Sequence, residues 1–171
     1  MALRTFAVVF VAALLQVVIV SSLIVAGGAP DLLLVVVVTL ALLRGSVPGA
    51  LLGFTGGLVV DVVTLGTMGV SSLILTLAGF WAGRYAETTG RDRRLAPLIA
   101  VGTITVLAAA FGYFLYYLLD ENVVASHALI GALAPAFVLN LALALPVYAL
   151  VRRIVGESHR VEPSPEVEVL V

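Results

Sequence analysis

Two carboxylates, Asp31 and Asp61, stand at the edges of long apolar runs and are the residues best placed for chemistry inside this chain. A carboxylate at membrane depth is costly, so it is found hydrogen-bonded, paired or functional. Asp31 follows Pro30 at the start of an apolar segment, where its side chain can cap free N–H groups and meet the positive end of the helix dipole. Asp61 precedes VVTLGTMG and can accept hydrogen bonds from Thr64, Thr67 or the amides that open the next helix. A proton relay or cation site built from both acids is the alternative, but no intramembrane basic or histidine partner lies nearby in the sequence. Gln16 and Asn140 are amides deep in apolar runs and are expected to hydrogen-bond to neighbouring helices.

Other chemistry lacks its parts. The GVSS stretch ending at Ser71 and Ser72 is superficially like a serine loop, yet no glycine follows it and no base is paired with it. His127 and His159 have no second histidine or acid at ligand spacing, and the chain contains no cysteine. Walker, HExxH and acidic calcium-loop patterns are missing, as is any basic stretch interleaved with aromatics that would suit nucleic acid. The sequence therefore predicts no catalytic residue, no cofactor, no metal and no nucleic-acid partner.

The elements that must carry these residues are apolar helices. Hydrophobic residues make up 62% of the chain and charged residues 11%, with a mean hydropathy of +1.21, so lipid is the expected solvent for most of it. Segments at 5–25, 30–43, 47–65, 70–84, 95–119 and 127–151 predict an all-α, polytopic bundle of about six transmembrane helices over 1–156. The first segment is too long for a typical signal-peptide core and runs into another apolar stretch, so it reads as an uncleaved span. The second and fourth segments are short, and must be extended, thin the bilayer locally or be sheltered by protein. Four spans with a re-entrant hairpin are the alternative count. Residues 157–171, rich in proline and acids, read as a short disordered cytoplasmic tail.

All nine basic residues are arginines. With six spans, Arg4, Arg44, Arg84, Arg91, Arg93, Arg94, Arg152, Arg153 and Arg160 all fall on one side, which the positive-inside rule makes cytoplasmic, so both ends are expected inside. Asp120 and Glu121 then join Asp31 and Asp61 toward the other face. Within the third segment Gly45, Gly49, Gly53 and Gly57 recur every four residues, followed by Asp61, and form one stripe. Such a stripe lets another helix approach closely, either within the bundle, against the second or fourth segment, or from a partner protein. A leucine at Gly53 is expected to disrupt that contact and an alanine to be milder. Pro135 and Pro146 are expected to kink the last helix.

The stretch 30–84 resembles the MreD family of bacterial rod shape-determining membrane proteins. The resemblance rests on Pro30 and Asp31 opening a short aliphatic span, Arg44 and Gly45 at a turn, the glycine-rich span ending at Asp61, the small loop with Gly69, and AGFWAGR closing at Arg84. It covers about a third of the chain by motif and the remainder by hydropathy alone. What it implies is a non-enzymatic scaffold of the cell-elongation and peptidoglycan-synthesis complex in the bacterial cytoplasmic (inner) membrane. The implied partners are an MreC-type single-span protein and, through it, the MreB filament and the elongation peptidoglycan synthases. The substrate-binding subunits of energy-coupling-factor vitamin transporters are similar in architecture and supply the alternative reading, although the short outer connections offer few groups to line a vitamin pocket.

Overall fold

The computed structural model describes residues 2–18, 28–89, 95–119 and 126–156. The expected tail, Arg91, Arg93, Arg94, Arg160, Asp120, Glu121 and His159 lie outside the described residues. Six α-helices follow in order: α1 Ala2–Val18, α2 Leu32–Arg44, α3 Ser46–Thr64, α4 Val70–Thr89, α5 Ala96–Leu118 and α6 Ser126–Val155. No strand element occurs among the described residues. Ser46–Thr64, Ala96–Leu118 and Leu133–Val155 are long and apolar enough to cross a membrane; Leu3–Val18 and Leu32–Arg44 are shorter apolar helices. The chain is a membrane protein.

The central element is α2, which touches all five other helices. Every residue from Leu33 to Leu43 is buried. Its sequence, LLLVVVVTLALL, is rich in β-branched residues that favour strands in water, but an isolated strand in hydrocarbon would leave its backbone groups unpaired and a helix satisfies them internally. A helix apolar on all sides is stable when surrounded on all sides. At 1.5 Å per residue its 13 residues reach only about 20 Å, against about 30 Å of hydrocarbon. Protein surrounds this short segment, as one of the three accommodations open to it requires.

Around it the chain runs up and down. α3 packs antiparallel on α4, with Gly49 against Gly79 near one end and Gly57 against Ser72 near the other. α5 continues the alternation, Gly112 facing Ile74 of α4. α6 returns beside α2, bonded to it through Asn140 at one end and Val155 at the other. The start of α1 and the close of α6 thus lie at the same end of the bundle. α4 extends five residues beyond the expected 70–84, through a polar last turn, YAETT. α6 continues through both internal prolines.

The faces of α3 invert the pattern of a water-soluble helix. Its buried residues include Gly49, Gly53, Gly56 and Gly57, while Val47, Leu51, Phe54, Leu58, Val62 and Val63 are exposed. Lipid removes the incentive to bury large apolar side chains, so close backbone approach decides which face turns inward.

Candidate functional site

The glycine stripe meets α4. A Cβ at Gly49 would sit 2.6 Å from the Gly79 carbonyl oxygen and 2.5 Å from the Ala41 Cβ of α2. A Cβ at Gly53 would fall on the carbonyl of Leu75, and one at Gly57 on the backbone of Ser71 and Ser72. The approach is reciprocal, since a Cβ at Gly79 would strike Gly49, and one at Gly83 would strike Gly45 and Ser46. Gly45 itself lies just before α3, where φ of 100° turns the chain out of α2. The atoms opposite Gly53 are backbone and cannot rotate aside, so one methyl, though smaller than a leucine side chain, already meets the neighbouring helix.

Each end of this pair is closed by a carboxylate from the partner helix. Asp61, near the C-terminus of α3 and buried, accepts hydrogen bonds from the Gly69, Ser71 and Ser72 amides at 2.9, 3.1 and 3.2 Å, and from the Ser72 hydroxyl at 3.0 Å. These amides open α4 and have no partner within their own helix. Asp61 therefore caps α4 from the adjacent helix through its opening amides and the Ser72 hydroxyl, while the Thr64 hydroxyl bonds the Val60 carbonyl. At the opposite end Gly45 offers α3 no capping side chain. Glu87, in the last turn of α4, accepts instead from the Ser46 amide at 2.8 Å and the Ser46 hydroxyl at 2.9 and 3.1 Å. Ser46 holds the Glu87 carboxyl below the usual carboxylate range, first through its amide and then through its hydroxyl, and Arg84, at 3.5 Å, adds to the effect. Sequence reasoning missed Glu87 because it placed the end of the fourth helix at Arg84.

A second polar group holds the start of α2. Because that helix is short and enclosed, its free N–H groups lie within the protein and need internal acceptors. The Asp31 amide donates to Asn140 Oδ1 at 2.7 Å, the Leu32 amide to Gln16 Oε1 at 2.8 Å, and the Leu34 amide to the Asp31 carboxylate at 2.9 Å. Gln16 Nε2 returns a bond to the Pro30 carbonyl at 3.2 Å, and Asn140 Nδ2 donates to Thr105 Oγ1 at 3.3 Å. Asp31 is thus a helix cap, and the two intramembrane amides bind α1 and α6 to the N-terminus of α2. Thr105 is a further member that the sequence did not single out; one hydroxyl on an apolar helix gives no signal of its own. Asp31 and Asp61 belong to different helix starts, and their bonds do not join them in one polar network.

Charge is segregated along the bundle axis. Arg4 opens α1, Arg44 closes α2, Arg84 lies beside the start of α3, and Arg152 and Arg153 close α6, which puts all five described arginines at one end. Arg44 Nη2 donates to the Val155 carbonyl at 3.3 Å, joining the C-termini of α2 and α6. A cationic side chain at these carbonyls also complements the negative ends of both helix dipoles.

The family model described as rod shape-determining protein MreD matches residues 1–154 of the chain. None of the curated proteins and none of the solved structures compared matches the chain.

Proposed function

The chain belongs to the MreD family of rod shape-determining proteins, and from that premise we propose that it crosses the bacterial inner membrane six times, with both ends inside, as a non-enzymatic scaffold of the cell-elongation complex. In this role it holds the span of an MreC-type partner and, through that partner, communicates with the MreB filament and the peptidoglycan synthases. The observation that carries this reading is how the intramembrane polar groups are used. Asp31, Asp61, Gln16 and Asn140 each hold a helix end or join two helices. A bundle so fastened presents a fixed outer surface of Val, Leu and Phe to other membrane helices, as a scaffold requires. In the same reading the stripe of Gly49, Gly53 and Gly57 serves internal packing, and the partner meets another face.

The arginine end is cytoplasmic in this orientation, following the positive-inside rule. Single cysteines at Gly66 and Asn122 are expected to react with an impermeant thiol reagent added to intact cells, and one at Thr89 to stay unlabelled. Labelling at Thr89 would refute the orientation. Purification of the tagged chain in mild detergent should recover the single-span partner; its consistent absence from a folded preparation would refute the scaffold role.

A further inference from the structure

The guanidinium of Arg44 is incompletely partnered. Arg44 closes a helix whose preceding eleven residues, Leu33 to Leu43, are all buried, and it is itself only half exposed. Its Nη2 bonds the Val155 carbonyl, but its Nε is buried with no hydrogen-bond partner. A guanidinium carries five N–H donors, and a buried charged donor without an acceptor is unfavourable. Glu87, the carboxylate described at this end, is engaged by Ser46 and Arg84. α1, which packs on α2, brings exposed Arg4 to the same end, while Arg153 lies on the face of α6 opposite its buried Val151 and Val155.

We propose that Arg44, with Arg4 of α1, forms a binding site for the headgroup phosphate of an anionic phospholipid between the ends of α1, α2 and α6. Three features select this ligand. The site lies at the end of apolar helices, the depth at which headgroups meet a membrane protein. Guanidinium groups pair with phosphate oxygens through parallel charge-assisted bonds, which a choline-bearing headgroup of zero net charge rewards less. The flanking helices offer apolar surface beside the charge, including Leu3 and Leu150, for the acyl chains. The proposal requires only that the helices lie in a bilayer. It does not depend on which side the arginine end faces, so the cysteine-labelling result and the result below stand or fall separately.

The test uses the full chain purified in mild detergent, titrated with phosphatidylglycerol, phosphatidylcholine or inorganic phosphate, with lipid retention read by native mass spectrometry and thermal stability read alongside. Phosphatidylglycerol is expected to be retained and to raise the melting temperature, with little response to the other two. Arg44→Gln should weaken phosphatidylglycerol binding by roughly tenfold, whereas Arg84→Gln, which lies beside Glu87, should leave it unchanged. If Arg44→Gln does not fold, Arg4→Gln carries the test and should weaken binding by a similar factor. Undiminished binding in both the Arg44 variant and the Arg4 variant overturns the site. An equal response to inorganic phosphate overturns the lipid as the source of the anion.

Discussion

Gly53→Ala adds a single methyl, and the structure makes it a severe change. The new Cβ would fall on the Leu75 carbonyl, with the Thr76 amide nitrogen 3.0 Å away. Both are backbone atoms held in α4, so relief requires α3 and α4 to separate by on the order of 1 Å. A gap of that size forfeits a quarter to a half of the dispersion energy of each close contact. The same movement pulls Asp61 from the start of α4 and Glu87 from the start of α3. Overpacking of this kind costs roughly 1–3 kcal/mol, and the immobile backbone places Gly53 toward the upper end of that range. Alanine offsets about 1 kcal/mol through its better helix propensity. The balance is a loss of about 2 kcal/mol, or a fall in melting temperature of roughly 4–8 °C for a chain of this length. Thermal denaturation of the detergent-solubilised protein measures it. Gly102→Ala is the matched control, because its nearest atoms are the Phe137 ring at 3.4 Å, an ordinary contact. If the two variants melt within about 1 °C of each other, the close approach of α3 and α4 is wrong.

Three further outcomes test the polar contacts. Asp61→Ala should destabilise the protein by about 2–3 kcal/mol, since it strips the acceptor from three α4 amides at once, and a double-mutant cycle with Ser72→Ala should show coupling of about 1 kcal/mol; additive effects would dissociate the two side chains. Glu87 has its carboxyl lowered from 4.5, so its contribution is present above about pH 4.5 and is lost as the pH falls through the lower folded value. Glu87→Gln should accordingly flatten the acid limb of the stability profile, and an unchanged limb would refute the assignment. Asn140→Leu leaves the Asp31 amide without its acceptor and should cost about 1–3 kcal/mol by thermal denaturation, more than Thr105→Val, which removes only the far end of that network; the reverse order would refute the arrangement.

Hydropathy made the class and number of helices legible, and spacing made the glycine face legible. Asp31 was recognisable as a cap because Pro30 and a following apolar run mark a helix start, and Asp61 as a ligand for amides because a short glycine-containing loop follows it. Contacts between residues far apart in the sequence were less accessible. Gln16 and Asn140 could be assigned to some neighbouring helix, but that both meet the first turn of α2 depends on three helices converging. Glu87 was hidden in a stretch whose charge suggested a loop, although it continues α4 for another turn and reaches back to Ser46.

The enclosure of α2 connects these features. A helix of about 20 Å cannot present both termini to water across a bilayer, so at least one of its ends must find partners in the protein. Its C-terminus keeps Arg44, whose long side chain can run to the interface and whose guanidinium meets the Val155 carbonyl. Its N-terminus has no such extension and draws in amides from α1 and α6 together with its own Asp31. The neighbouring α3 is longer and apolar enough to span, yet it and α4 are fastened by the same principle, each start capped by a carboxylate near the other's close. The described carboxylates and deep amides therefore bond helix starts, where the first backbone amides have no partner within the helix. Replacing one of them by a residue of equal volume without an acceptor should disturb the packing between helices more than the helix that carries it.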